Sequence, residues 1–594
     1  MPNLNANFGG QQLIIPGAYY NDDVTAALTT SAALVPPLVW VCFSYGGVKN
    51  TPASFTTAQD TLNFLRGAPC AAMVPFIFTP SGELNGASIV TVIPVGSNTT
   101  ASFTYNNGSS TPVLTATTVN QGLVSNLMQT SVVSGTIAGR LITLFDGYAS
   151  TSTYADNLGV PFQIAYSGVA TGVTFTVTQT GGQATSLTTT GAPTGQNLTI
   201  QLGPAGYSTV TEVVEYINGT GFYGAQVLSG GPGYDHGLLP SQLLDAQGPV
   251  ALQPLASGSM VYANVGAGLN DISYWMQTAA SSYVNTPTLL VTSSYANIPA
   301  AIPLTHFTGG TNVPPVLSDY AAGLNVALGV PAWAVIADQN ITGLPALLAQ
   351  HAETASSITQ RRWRRAVSGS NIGDSVTTVT AMAISLNAFQ MTYCYPGIYQ
   401  NNPNTGVNTL YGGYYVAAAV AGIMCGNPVM TPLTNKSLTG NGVEVQSTVS
   451  QINTLQQAGV MPLWVDPNTL VPTIVSDFTT WQNDANPENV FNQQVAGRQY
   501  LSYVMVLANQ PYTGAIESSV SIQNQKKANI AALNGQVVTP TATAGVLNSW
   551  DKNSLTLTYT GAQQLTAITF QAVFVGQNRF TTITNYVQPL NLSA

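Results

Sequence analysis

A mixed α/β chain (α+β multidomain) is what the sequence predicts: an α/β core, an inserted β-rich domain, and extended N- and C-terminal arms. Three observations predict it. Before residue 100 and after residue 206, short apolar runs alternate with segments of helical period, which implies a largely parallel sheet with helices on its faces. Between residues 101 and 205 the helical period vanishes and two-residue alternation replaces it, as in Val173-Thr174-Phe175-Thr176-Val177-Thr178. Near the N-terminus a single strand-like run stands alone, too isolated to be a domain, so residues 1–35 read as an arm. The 594 residues are enough for about four domains.

Each segment is justified in turn. Residues 36–100 hold the buried-strand run Leu38-Val39-Trp40-Val41-Cys42-Phe43, a short helix over 57–66 and a strand over 89–95. Residues 101–205 are rich in Thr, Val, Ser and Gly, with turn signals at Asn107-Gly108 and Gly181-Gly182. Residues 206–460 return to α/β: a helix over 209–218 behind a Thr cap, strands at 288–292 and 333–337, and helices at 319–328, 344–361, 376–387, 415–424 and 449–458. Residues 461–594 begin with a hairpin over 463–475, continue with helices over 497–507 and 515–533, and end in strands at 555–559 and 568–575.

Composition narrows the function. Charged residues make up 6% of the chain, against about 25% in an ordinary soluble protein, while the apolar fraction is 45%. A lone monomer keeps itself soluble with surface charge. A chain with so little of it is expected either to be covered by copies of itself or to sit in a harsh extracellular setting, and both readings point to an assembly protein. The net charge of −9 argues against general nucleic-acid binding, which needs a basic face. No basic and apolar leader opens the sequence, so no signal peptide is expected. The uncharged stretch 411–430 carries Gly, Asn and Pro and reads as a buried helix rather than a membrane span.

Chemistry is thinly represented. Cys42, Cys70, Cys394 and Cys425 form no CxxC pair; they read as buried thiols, with a disulfide as the alternative. A serine hydrolase triad needs a histidine base, and only His236, His306 and His351 exist; no GxSxG elbow accompanies them, and Ser-Gly-Ser-Met at 257–260 is only a faint echo of a protease serine. Asp22-Asp23 and Asp235-His236 are explained as turn residues as well as by a metal. Gly230-Gly231-Pro232-Gly233 lacks the Lys-Ser/Thr of a phosphate loop. No catalytic residue, cofactor or metal is therefore expected. The one charge cluster is Arg361, Arg362, Arg364 and Arg365, four of the chain's eight arginines. Continued on the preceding helix at ~100° per residue they would span about 160° of arc, a stripe suited to nucleic acid or to an acidic stripe on a partner protein, with a solvated helix end as the plain alternative. Arg362 falls close to the angle of Leu344 and Ile358, which equally fits a helix that breaks before Arg361.

The order of these segments resembles the contractile bacteriophage tail sheath family. LIIPGAYYND at 13–22 is similar to the opening arm of sheath proteins. FTGGTN at 307–312 followed by SDYAAGLNVAL, and YCYPGIY at 393–399, resemble the turn, helix and strand of the family's subtilisin-like domain. YYVAAAVAGIMCGNPVMTPLTNKSLTG at 414–440 is the most specific piece, and LQQAGVMPL, SDFTTW and GRQYLSYVM follow in family order. The likeness covers roughly residues 10–100 and 300–594. The low charge departs from the family, and residues 101–300 match loosely.

The resemblance implies a subtilisin-like core and a structural subunit that polymerises helically around a tail tube and contracts to drive it through the host envelope. It implies arms lent to neighbouring copies, with Leu13, Ile14, Ile15 and Tyr19 at one end and Ile568, Phe570, Val573 and Phe574 at the other. It assigns the arginine cluster to the tube or an adjacent subunit. The implied partners are further copies in stacked rings, the tube, the baseplate and the neck or terminator proteins, with no direct nucleic-acid contact and no membrane insertion. The implied location is the virion, after assembly in the host cytoplasm. Another self-assembling shell, such as a surface layer or a decoration protein, is the alternative that low charge alone would allow.

Overall fold

The computed structural model describes residues 6–8, 11–13, 37–255, 258–402, 405–466, 469–483, 487–539, 545–561 and 564–575. The chain divides into two compact units. A core unit takes in residues 1–43, 49–96 and 315–594, and an inserted unit takes in 44–48 and 97–314.

The core unit is built on one eight-stranded sheet. Its strands are β1 (Leu38–Phe43), β2 (Ala53–Phe55), β3 (Val90–Val95), β4 (Ala334–Ala337), β5 (Arg365–Gly369), β6 (Met391–Tyr395), β7 (Val460–Val465) and β8 (Pro472–Ile474), in the spatial order β2-β3-β1-β4-β5-β6-β7-β8. The six central strands are parallel, and β2 and β8 pair antiparallel at the two edges. Every residue of β1, β3, β4, β5 and β6 is buried, which is why β1 and β4 read as unbroken apolar runs rather than as alternation, while β5 buries Arg365 and Ser368. Val39, Val41, Ile93 and Val335 meet helices Leu317–Ala327, Leu344–Ala355, Val376–Leu386 and Val449–Gln457 in one core through Tyr320, Leu348, Val379 and Leu455. The alternate residues Leu38, Trp40 and Cys42 point to the other face.

Helix Gly413–Gly426 lies against β1, β4, β5 and β6. All of its residues but Tyr414 are buried, so the stretch has no polar face and no room for charge. Its small residues set how closely it packs. A Cβ on Gly422 would sit 2.4 Å from the Ile77 carbonyl oxygen of helix Val74–Phe78, and one on Gly413 would sit 2.6 Å from the Cys394 carbonyl oxygen of β6. No helix among the described residues is long and apolar enough to cross a membrane.

The inserted unit is antiparallel throughout. One four-stranded sheet runs Thr151–Leu158, Arg140–Asp146, Met128–Ser134, Ile302–His306; another runs Thr199–Gln201, Gln183–Thr190, Thr174–Thr180, Gln247–Ala251. Two three-stranded sheets complete it, one centred on Phe162–Tyr166 and one on Pro112–Gln121. Each of its two cores is closed by a helix. Val210, Val213 and Ile217 of Val210–Gly219 pack with Phe162, Phe175 and Leu187, and Leu269, Ile272 and Trp275 of Gly268–Gln277 pack with Ile142, Leu144 and Leu158.

This corrects the domain boundary expected at 205/206. The helix after residue 209 looks like the return of an α/β domain, but its apolar face belongs to the β-rich core, and the inserted unit runs on to 314. The strand expected at 288–292 shrinks to Thr288–Leu289 and pairs within this same unit.

Exchange of Gly422 for Ala tests the close packing of the central helix. Alanine gains about 1 kcal/mol of helix propensity over glycine. The clash here is with backbone rather than a movable side chain, and overpacking of that kind costs about 1–3 kcal/mol. Gly422→Ala is expected to lower the urea midpoint of the unassembled chain. Gly219→Ala, where a Cβ meets nothing within 4 Å, is expected to leave it unchanged or raise it.

Candidate functional site

The C-terminal part of the core unit positions the expected arm. Helices Asn492–Asn509 and Ser519–Gly535 pack together through a buried amide pair. Asn509 Nδ2 donates to Asn529 Oδ1 at 2.8 Å, and Asn529 Nδ2 donates back to Asn509 Oδ1 at 2.9 Å, with Gln525 Nε2 donating to Asn509 Oδ1 at 3.0 Å. Such an exchange is satisfied at one register only, because a slip leaves buried amides without partners.

A two-stranded ribbon, Ser549–Thr560 with Leu565–Val573, follows the second helix. Its apolar side chains pack at one end, and toward the turn Thr566 Oγ1 donates to Glu517 Oε1 at 3.2 Å. Trp550 Nε1 donates to Asn534 Oδ1 at 3.1 Å, and Leu555, Ala572 and Phe574 are buried. Further along, Ile568 stands opposite Leu557, and Ile568 and Phe570 are only half-buried, as is Val573 at the packed end. Among the described residues neither outer edge of the ribbon has a partner strand. A two-stranded ribbon is marginal in water by itself and presents two rows of unpaired backbone groups. At the other terminus, Gln11–Leu13 pairs antiparallel with Ala6–Phe8, setting Leu13 opposite Ala6. Ile14, Ile15 and Tyr19 lie outside the described residues.

The arginine cluster does not form a helical stripe. Helix Leu344–Ala355 ends before it, Arg361 takes a left-handed turn (φ 54°), and Arg365 opens β5. Arg364 is fully buried. It donates to the carbonyls of Ala327 and Val330, each at 2.9 Å, and to His351 Nε2 at 3.0 Å. Arg365 is also buried and donates to the Asn492 carbonyl at 3.4 Å. Burial pulls both guanidinium values down to about 10, still charged at neutral pH. Arg364 and Arg365 are therefore interior brackets rather than a partner contact. Arg362, exposed and donating to the Leu328 carbonyl, and half-buried Arg361 remain near the surface. The signal for this correction was topological: helices 344–361 and 376–387 in a parallel sheet need a strand between them, and only residues near 365 can supply it.

Neutral His351 accepts from Arg364, because burial first and the adjacent guanidinium second lower it to about 3. The stabilisation this gives is present above the ordinary histidine value and is lost as pH falls toward 3. His306 is exposed and meets the Gln129 amide and the Asn126 carbonyl; His236 is buried beside Asp271. None of the three is hydrogen-bonded to a serine. Asp235 caps its own turn by accepting from the Gly237 amide at 2.8 Å. Asp22 and Asp23 lie outside the described residues. All four cysteines are free and buried.

The point in a doubly wound sheet where ligands usually enter, between β1 and β4, is occupied by the chain itself. Asp338, just after β4, accepts from Tyr320 Oη at 2.6 Å and from the Phe43 amide at 3.0 Å, and burial raises it to about 6. Cys42 and Cys70 pack beside it. Among the exposed cations that sequence reasoning passed over are Lys526 and Lys527, on the outer side of helix Ser519–Gly535.

Comparison with known proteins gives a likeness in sequence and in fold. The chain is 26% identical over 497 residues to the tail sheath protein of Bacillus phage SP01, covering 81% of this chain and 80% of that one. The chain is similar in sequence to a phage tail sheath protein and shares the fold of sheath tail proteins. The sheath tail protein of Listeria innocua superimposes with a TM-score of 0.54 over 92% of this chain and 94% of its own, at 11% identity. That of Desulfitobacterium hafniense gives 0.50 over 91% and 93%, also at 11% identity. No family model matches the chain. At 92% coverage the likeness in fold takes in most of the inserted unit as well as the core unit.

Replacing Arg364 separates an interior role from a contact role. Arg364→Ala leaves two buried carbonyls and a histidine nitrogen unpaired and opens a cavity. It is expected to cost ~3 kcal/mol or more in the unassembled chain, read by urea denaturation. A residue serving only a partner would leave that stability unchanged.

Proposed function

We propose that the chain is the structural subunit of a contractile phage tail sheath, polymerising helically around a tail tube and shortening to drive the tube through the host envelope. The observation that carries this reading is the open-edged C-terminal ribbon on a body with the sheath fold. A parallel sheet buried on both faces between helices supports a subtilisin-like reading of the core, used here as a scaffold and not for catalysis.

The mechanism follows from the edges. A strand from an adjacent copy that adds to the ribbon satisfies its unpaired backbone groups and covers half-buried Ile568 and Phe570. The N-terminal segment around Leu13, Ile14, Ile15 and Tyr19 is the proposed donor, and Ile568, Phe570, Val573 and Phe574 belong to the receiving or returning strands. Contact between two different surfaces does not close on itself and propagates as a helix. Shortening requires two packings of rigid bodies joined by strands that stay paired throughout. Lys526 and Lys527 join Arg361 and Arg362 as proposed contacts to the tube or to an adjacent copy, in an otherwise acidic chain. Baseplate and neck proteins would occupy the two ends of the polymer. No cofactor, nucleic acid or membrane insertion enters the proposal. The particle is placed in the virion, after assembly in the host cytoplasm.

Deleting residues 1–20 is expected to leave a folded chain with unchanged circular dichroism that forms no striated cylinders by negative-stain microscopy. Cylinders of normal length from the truncated protein would remove the arm from the mechanism. Lys526→Glu with Lys527→Glu is expected to leave folding intact and to alter assembly on the tube.

A further inference from the structure

The inserted unit contains a buried ionic network that the sheath reading does not use. His236 and Asp271 have no solvent-exposed side-chain surface, and His236 Nε2 lies 3.0 Å from Asp271 Oδ2. The other ring nitrogen, Nδ1, lies 3.0 Å from the Leu228 carbonyl oxygen. Both neighbours are acceptors. A neutral imidazole has one N–H and no charge for these two acceptors, whereas an imidazolium meets both, with an N–H toward the Leu228 carbonyl and a positive charge at ion-pair distance from Asp271. Asp271 is held as an acceptor in turn: Tyr234 Oη donates to Oδ1, and the Gly159 amide donates to Oδ2 at 2.7 Å.

We propose that His236 and Asp271 are a pH-operated latch inside the inserted unit, closed while His236 is doubly protonated and loosened when it loses a proton. The latch joins the unit's two cores. His236 sits in a turn packed on helix Val210–Gly219, which closes one core, while Asp271 lies in the first turn of Gly268–Gln277, which closes the other. Gly159 and Leu228 follow the strands Thr151–Leu158 and Tyr223–Val227, so loss of the pair releases four segments together.

The other ionisable groups facing the pair act in known directions. Burial alone lowers His236, but the Asp271 charge and hydrogen bond, the Leu228 carbonyl and exposed Asp235 outweigh it and leave the ring above the ordinary histidine value. Asp245, which accepts from Ser293 Oγ at 2.8 Å, is raised to about 6, by burial first and by the nearby Asp271 charge. Tyr234 is pushed far up by burial and by Asp271 and stays protonated, and Tyr274 packs beside it. A group raised on folding stabilises fully below its unfolded value and loses that contribution as pH rises through the folded one. The His236 contribution is therefore complete below about 6.5 and is lost above it. That of Asp245 is lost earlier, between the ordinary carboxylate range and about 6. The latch loosens toward alkaline pH, opposite in sign to His351 of the core unit.

Histidine C2-hydrogen exchange followed by mass spectrometry on the full chain reads each ring's titration separately. His236 is expected to titrate above 6.5, and titration below 6.5 would overturn the proposal whether or not any variant folds. Amide exchange, corrected for its intrinsic pH dependence, is expected to show about tenfold loss of protection at 228–236 and 268–277 between pH 6 and 9. That loss is expected to disappear in His236→Gln and to persist in Asp245→Asn. Parallel loss in the wild type and His236→Gln, or retention of full protection by the wild type at pH 9, would also overturn it.

Discussion

The structure depends on one constraint, the burial of a six-stranded parallel sheet on both faces by helices that bring almost no charge. Helix Gly413–Gly426 sets the terms. With a backbone carbonyl 2.4 Å from where a Cβ on Gly422 would sit, the position admits no side chain, and with all residues but Tyr414 buried there is no place for a charge. The strands beneath face helices on both sides and are largely apolar for the same reason. Much of the chain's low charge follows from this geometry.

The charges that remain are used inside as well as outside. Arg364, Arg365, Arg498, Asp338, Asp477, Asp245 and Asp271 are all buried. Most of their bonds run to neutral groups. Arg364 brackets two helix-end carbonyls and a neutral histidine, and Asp338 holds a tyrosine and a backbone amide. Buried polar groups of this kind stabilise when fully paired and are expensive when one partner is lost. They fix where loops return to the sheet. The outer surface is left largely to Thr, Ser, Asn and Gln, whose hydroxyls and amides carry no net charge to repel another copy.

Much of this architecture was legible in the sequence where the local signal and the tertiary role agree. Thr57, Thr209 and Thr448 each accept from the backbone amide three residues on, and Thr209 with Glu212 and Thr448 with Gln451 form full capping boxes, so those helix starts stood where the residues place them. β1 was readable to the residue because a strand buried on both faces has no alternation to blur its ends. Legibility failed where one local pattern serves two ends. The amphipathic helix Val210–Gly219 has the same period whether it covers a parallel sheet or closes an antiparallel core. Arg361 to Arg365 has helical spacing, yet its residues turn into a strand because Arg361 adopts a left-handed conformation and the sheet requires β5 at that place. The His236–Asp271 pair was beyond reach because its members are brought together across 35 residues by two different cores.

In the assembly proposed above, the C-terminal ribbon, whose outer edges have no partner strand among the described residues, is where a strand of another copy adds. Its packed end is closed by Trp550, Leu555, Ala572 and Phe574, and its register is pinned by hydroxyl and amide bonds such as Thr556 to Thr569 at 2.6 Å. The helix beneath it is held in one register by the Asn509–Asn529 exchange, so the open edges are presented at a defined place. An extra strand from the same chain would complete the sheet and end the process there. A strand from another copy completes it equally well and leaves that copy's own edges open for the next. Under that proposal, an edge left unpaired at a rigidly held place is what lets the polymer grow. Backbone pairing is also indifferent to the rotation of the bodies it links, provided the chain joining strand to body has slack. The same bonds can then persist through both packings of a sheath, and the energy difference between those packings resides in the contacts of the bodies rather than in the strands that join them.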